Sequence, residues 1–467
     1  MHRRQFLSVI ALAASAPLFS QCARPIRRVA SQGGLLELSL TAQAQTKQLA
    51  GQRTRVLTYN AQAPGPLLEA RAGDTVRLTL INQLDTPTNL HYHGLHISPD
   101  IDNVFLDVPP GERYTYEFQI LPNHPGITAW YHPHYHLNVA RQVFGGLAGP
   151  LVIRGDLDEI PELQQADEAL LVLQDFEAAL RPLAPHALGL KWGREGSLLL
   201  ANGQRNPTVN LRQNGLLRLR LVNASASRIY QLQLQDHPWW LIATDRGAIS
   251  SPTKIDTLRL SPGERAELLI PGQQEPGDYQ LISLPYDRGM GSMVDSLGDA
   301  VQQMSGIVQP AKTTIATLRY QPSDYSQPLP IPQALIPVKP LPKATTTREF
   351  VLNHGISTGT TGFIINNNSF DMNRVDTHVR LNQVEDWKII NQASIDHPFH
   401  LHTNRFQVLE RNGQPEPFLA WKDTVSLKGY ESVTLRVRFE DFVGRTVYHC
   451  HILDHEDQGM MGIVEIS

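Results

Sequence analysis

The sequence predicts an all-β protein made of three similar β-sandwich or β-barrel domains. Three observations carry this. First, short runs alternate apolar and polar residues. "TVRLTLIN" sets Val76, Leu78 and Leu80 on one face, "LLRLRLVN" does the same with Leu217, Leu219 and Leu221, and "VTLRVRFE" with Val433, Leu435 and Val437. Successive side chains of a strand point to opposite faces, so such runs read as half-buried strands. Second, the runs recur in similar settings: "LIN" ends at Asn82, "LVN" at Asn223 and "IIN" at Asn391. Recurrence of this kind marks a repeated unit. Third, 33 glycines and 33 prolines in 467 residues supply the turns that many short strands need.

Taken in order, the chain opens with "MHRRQFLSVIALAASAPLFSQCAR". Arg3 and Arg4, then Phe6-Leu7 and an apolar run to about Phe19, have the form of a twin-arginine export signal. Residues 1–30 are therefore assigned to a signal segment, and the mature protein to the periplasm or the exterior. The run is too short to span a bilayer securely, and no membrane span is expected in the mature chain. Cys22 falls in or beside the signal, where Gln21 fits a lipoprotein pattern poorly. Domains are expected at residues 33–157, 158–320 and 345–467. Between the last two, at residues 321–344, seven prolines from Pro322 to Pro342 make a stiff, extended linker. A net charge of -4 and a charged fraction of 18% exert no pull toward nucleic acid or an acidic membrane.

The ends of the repeats carry the chemistry. The first ends in "YHPHYH" and "GLAGPLVI", the third in "YHCHILDH" and "GMMGIVEI". Aligned so, Pro133 stands where Cys450 stands, and Leu147 where Met460 stands. The second repeat has "GDYQLISLPY" there, without histidine.

Four pairs have the form His-x-His: His91/His93, His132/His134, His400/His402 and His449/His451. Residues two apart in a strand share a face, so each pair offers two imidazoles side by side. Imidazole is a good ligand for copper, zinc, iron or nickel. One such pair is weak evidence; four in matching positions of two repeats is strong. Eight imidazoles suit a cluster of ions, placed between the first and third repeats.

Cys450 then points away from its two neighbours. His397 lies an odd number of residues from His400 and tends to the same far side as Cys450. His455 and Met460 follow. Two histidines, a cysteine thiolate and an axial methionine form a blue-copper electron-transfer site. If Cys22 leaves with the signal, Cys450 has no disulfide partner, which suits a ligand.

"HYHG", "WYHPH", "HPFHLH" and "HCHILDHEDQGMM" resemble the four copper signatures of the multicopper oxidases, in the family's order and across the mature chain. The likeness is to the three-domain bacterial laccases and copper-efflux oxidases. It implies three cupredoxin-like Greek-key domains and four copper ions. Type 1 copper would take His397, Cys450, His455 and Met460. Type 2 copper would take His91 and His400. The type 3 pair would take His93, His132, His134, His402, His449 and His451. No ligand position departs from the pattern, unlike the copperless cell-division relatives.

The same resemblance implies one-electron oxidation of a substrate at type 1 copper, coupled to four-electron reduction of dioxygen to water. Two acids are expected to relay protons: Glu456, directly after His455, and Asp102, nine residues beyond His93. His136 is read as a neighbour of the site or a surface residue. His96, His124 and His237 are read as structural hydrogen-bond partners.

The expected substrate is a phenol or aromatic amine, as for a laccase. The alternative is Cu(I), as for a cuprous oxidase in copper tolerance. Met290, Met293 and Met304 lie close together, either as a methionine-bearing insertion that would serve the alternative or as incidental methionines of a surface loop, and the "QASIDH" stretch before the type 1 histidine has Asp396 and no methionine. A copper-buffering or structural export protein is the hypothesis from another class. A monomer is expected.

Overall fold

A computed structural model describes residues 26–49, 51–177, 192–289, 311–354 and 362–467. The regular structure of the described residues is nearly all β, with only short helices. Six sheets form three pairs, and strand pairing stays inside each pair. The three pairs open alike, with a long strand running parallel to the next alternating one. Leu35–Leu49 lies beside Thr75–Gln83, Asp167–Phe176 beside Leu216–Asn223, and Thr346–His354 beside Val384–Asn391.

The asparagine that ends each alternating run is buried and has the same work three times. Asn82 donates to the carbonyls of Thr86 and Val108 and accepts from Leu84 N–H. Asn223 donates to Arg228 and Leu260 and accepts from Ser225. Asn391 donates to Ile395 and Lys428 and accepts from Ala393. A buried amide that satisfies three backbone groups ties the strand end to two loops, and truncating it would leave those groups unpaired.

Thr75–Gln83 and Ser432–Arg438 alternate buried and half-buried positions along their length. Leu216–Asn223 does not: every residue of it is buried. The half-buried expectation fails there because the polar face meets another sheet pair. Arg218 and Arg220 bind Glu267 and Asp158, and Arg220 also donates to Thr128 of the first pair. Trp130 of the first pair packs with Val172, Val222 and Ala224 of the second. Each large side chain buried this way contributes about 1.5–3 kcal/mol.

The proline-rich stretch forms no strand. It runs over the second and third pairs, held by Leu329 N–H to Asn214 O, Leu335 N–H to Ser250 O, and Leu341 N–H to the Gln407 side chain. Among the described residues no helix is long and apolar enough to cross a membrane.

Candidate metal centre

Two hairpin-like pairings set the site. His91–His93 pairs antiparallel with Ile127–His132, with His91 opposite His132. His397–Leu401 pairs antiparallel with Gly444–Cys450, with His400 opposite His449. The cross-strand register is the same in both, and it sets imidazoles face to face. The first and third sheet pairs meet at these strands, so eight buried imidazoles form one cage.

The cage divides into groups whose ligand atoms lie within 4.8 Å of one another: His91, His93 and His400; His93, His132 and His451; His134, His402 and His449. Each His-x-His pair from the strand ends splits between two groups. His132 and His451 go to one, and His134 and His449 to the other. Neither group is complete without residues from both sheet pairs.

The ring nitrogens show what such a cage holds. Acceptor-only partners take one N–H from each of several rings. His91 Nδ1 donates to Asp102 at 2.7 Å, His402 Nδ1 to Asp102 at 3.1 Å, His400 Nδ1 to Asp423 O at 2.8 Å, His132 Nδ1 to Pro133 O at 2.9 Å and His449 Nδ1 to Cys450 O at 3.0 Å. This fixes the tautomer and leaves Nε2 as a lone pair, the usual second layer of a metal site. Nε2 of His91, His132 and His400 is buried without a partner. Nε2 of His449 faces Nε2 of His402 at 3.0 Å and of His134 at 3.2 Å. A cation satisfies such converging lone pairs, so the donor set fits copper.

Burial, reinforced by mutual repulsion, holds His93, His132, His134, His400 and His451 well below the usual histidine range, and His402 at about 3. Neutral imidazole is the ligating form.

On the other side of the same strand, Cys450 Sγ lies 3.3 Å from His397 Nδ1 and 3.7 Å from His455 Nδ1, and the two ring nitrogens are 3.2 Å apart. Burial pushes the Cys450 thiol far up, so a bound cation is what would make it a thiolate. His455 stands on a short helix, Leu453–Asp457, with Phe363 stacked at 3.8 Å on its ring. Met460 is fully buried. Its N–H donates to His455 O, and its carbonyl accepts from Cys450 N–H.

Both acids singled out from sequence lie against the cage. Asp102 bridges His91 and His402 and also accepts from Tyr92 N–H at 3.1 Å. Burial opposes its charge, but the two imidazoles outweigh this and hold it well below the carboxylate range. Glu456 is wholly buried, 3.4 Å from His134 Nε2 and 3.1 Å from His449 Nδ1. His136 belongs to no group and packs on Phe370. His96, His124 and His237 make hydrogen bonds elsewhere.

Asp423 was missed by sequence reading. Its Oδ1 lies 3.2 Å from His93 Nε2, so His93, unlike its neighbours, turns Nδ1 inward, 3.3 Å from His451 Nε2. Nothing in "WKDTVSL" marks this. Met290, Met293, Met304 and residues 1–25 of the export segment, Cys22 among them, lie outside the described residues, whereas Arg28–Ala30, assigned to that segment from sequence, forms a strand parallel to Leu67–Arg71 of the first sheet pair.

Comparison with known proteins settles the family. Residues 41–158, 169–299 and 340–467 match three multicopper oxidase family models. A multicopper oxidase of Staphylococcus epidermidis is 31% identical over 425 residues, 89% of this chain and 84% of the relative. The chain belongs to the multicopper oxidases. It is thus a copper oxidoreductase that takes a reducing substrate and dioxygen. Two solved members show the range. The Campylobacter jejuni multicopper oxidase, a metallo-oxidase, is 31% identical over 94% of this chain and 93% of that one, with a TM-score of 0.81. The laccase-like CueO of Ochrobactrum sp., active on lignin model compounds and lignosulfonate, is 26% identical over 95% and 100%, with a TM-score of 0.82. A cell division protein FtsP, from Photorhabdus laumondii, is also 30% identical over 98% of this chain and 97% of its own length.

Proposed function

We propose that this protein is a laccase-like oxidase, exported by its twin-arginine segment, that oxidises phenols or aromatic amines. It would carry one type 1 copper on His397, Cys450, His455 and Met460, and three more in the imidazole cage. The observation that supports this most is that the His397, Cys450 and His455 group and the three imidazole groups are all assembled and buried. A cell-division role without copper would leave such lone pairs with nothing to bind.

Bound copper would supply single-electron transfer at Cys450 and dioxygen reduction in the cage. The chain's own residues do the rest. Cys450 is covalently joined to His449 and His451, so one peptide unit on either side links the thiol to the cage. Asp102 and the Asp423 carbonyl aim His91, His402 and His400. Glu456 holds a proton-exchanging group between His134 and His449, where oxygen reduction consumes protons. Burial of every cage imidazole keeps bulk water out.

At the substrate side, Asp396 precedes His397 and accepts from Tyr286 O–H at 2.6 Å. That stretch, "QASIDH", carries no thioether, and Cu(I) prefers soft sulfur, so it suits an organic donor better. Cu(I) oxidation is the second reading. The likeness to the C. jejuni metallo-oxidase favours it, as do the three clustered methionines. Kinetics with a phenol and with Cu(I), before and after Met290, Met293 and Met304 become Ala, separate the two. The laccase reading expects phenol to be the better substrate and the triple variant to behave as wild type. Efficient Cu(I) oxidation that the variant selectively loses overturns it.

A further inference from the structure

Among the described residues the second sheet pair carries no ligand of the cage, yet one of its turns touches it. At residues 261–265, Ser261 N–H donates to Glu264 Oε2, and Gly263 N–H donates to Asn223 O. Gly263 has φ +83°, and a Cβ there would lie 2.7 Å from His451 Cδ2 and 2.9 Å from His93 Cε1. The bare backbone is pressed against two rings of one copper group.

Arg265 follows, fully buried. A guanidinium has five N–H donors, and the structure accounts for all five. Nε donates to Thr128 O at 3.0 Å. Nη1 donates to Gly263 O at 2.9 Å and Asp423 Oδ1 at 2.7 Å. Nη2 donates to Asp245 O at 2.6 Å and Asp423 Oδ2 at 2.7 Å. The fork on Asp423 is bidentate, which fixes the plane of the carboxylate. Asp423 Oδ1 also accepts from Thr424 Oγ1 and faces His93 Nε2. The guanidinium passes so close to Gly94 that a Cβ there would lie 2.6 Å from Nη2. The glycine of "HYHG" makes room for an arginine from another sheet pair.

We propose that Arg265 is a positioning residue of the copper cage, an inference that stands on the oxidase reading above. Its guanidinium fixes the Asp423 carboxylate, and the carboxylate holds the His93 ring with Nδ1 turned toward His132 and His451. The second domain, free of ligands, thereby sets the tautomer of a ligand in the first.

The test loads wild type, Arg265→Met, Arg265→Lys and Asp423→Asn with copper, then reads copper per chain, the blue absorption, the type 2 electron paramagnetic resonance signal and release to a chelator. Arg319→Met, which breaks an exposed ion pair with Asp278 in the same sheet pair, is the control. Arg265→Met and Asp423→Asn are expected to keep the blue absorption of the Cys450 site. They should lose cage copper to the chelator about 10–100-fold more readily, with an altered type 2 signal. Arg265→Lys keeps the charge but not the fork and should fall between. It decides the question with Asp423→Asn if the methionine variant does not fold. Cage copper held as in wild type by the folded variants overturns the positioning role alone. A wild type that takes no cage copper sinks the oxidase reading as well.

Discussion

His132-Pro133-His134 and His449-Cys450-His451 occupy the same register in two sheet pairs, but among the described residues only the second has a further donor group, His397, Cys450 and His455, behind it. In both, the flanking histidines split between two copper groups of the cage. Behind them the repeats diverge. Three residues before the first cage histidine stands His397 in one repeat and Thr88 in the other, where Thr88 Oγ1 is spent on Gln142 at 2.7 Å. Four residues after the last stands His455 in one and Asn138 in the other. Met460 has Leu147 as its counterpart. Even the helices that follow, Leu453–Asp457 and Val139–Phe144, pack on each other, with Asp457 accepting from Val139 and Ala140 N–H. The difference teaches that the cage needs both repeats, whereas the His397, Cys450 and His455 group, the proposed electron entry, needs one.

The comparison can be broken at several points. Glu456 has no acidic counterpart, since Val139 stands in its place. Glu456→Gln should leave the blue absorption intact and slow oxygen reduction by roughly 10²–10⁴-fold, the usual worth of a positioned proton donor. Stopped-flow reoxidation measures this, and a wild-type rate would end the relay role.

Acid stability probes what the repeats share. Burial keeps His93, His132, His134, His397, His400, His402 and His451 neutral in the folded apo-protein well below the unfolded value of 6.5. As pH falls through that value, the unfolded chain binds more protons than the folded one, so stability is lost. Above it these groups contribute no slope. Each contributes up to about 1.4 kcal/mol per pH unit. Urea unfolding of the apo-protein should therefore show a steep loss from pH 6.5 to 5.5, and a flat profile contradicts a neutral cage.

Met460→Leu copies the first repeat at the axial position. It should raise the reduction potential of the blue site while leaving cage copper unchanged. An unchanged or lower potential removes Met460 from the ligand set. The smallest effect is expected from Pro133→Cys. In the aligned repeats Thr88, Asn138 and Leu147 stand where Cys450 has His397, His455 and Met460, so copper per chain and blue absorption should match wild type.

Much of this was legible in the sequence, and the reasons are local. Period-two parity put Cys450 and the flanking histidines on opposite sides, and the structure has them so. The recurring "LIN", "LVN" and "IIN" marked a repeat before the shared hydrogen bonds of Asn82, Asn223 and Asn391 were visible. Contacts between distant segments were not legible. Arg218 and Arg220 look like the wet face of a strand until another sheet pair covers them. Asp423 and Arg265 are 158 residues apart, and Asp423 and His93 are 330 apart. No spacing within a strand encodes those meetings. The partition of six histidines into two groups of three likewise depends on how two sheet pairs dock.

The central claim is that Cys450 feeds the cage and is no part of it. Cys450→Ser tests this through two rates in one protein: substrate-driven oxygen uptake, and reoxidation by dioxygen of a chemically reduced cage. The account predicts that the first falls to background while the second stays at the wild-type rate. Substrate-driven uptake that survives, or a reoxidation rate that collapses with it, would contradict the account.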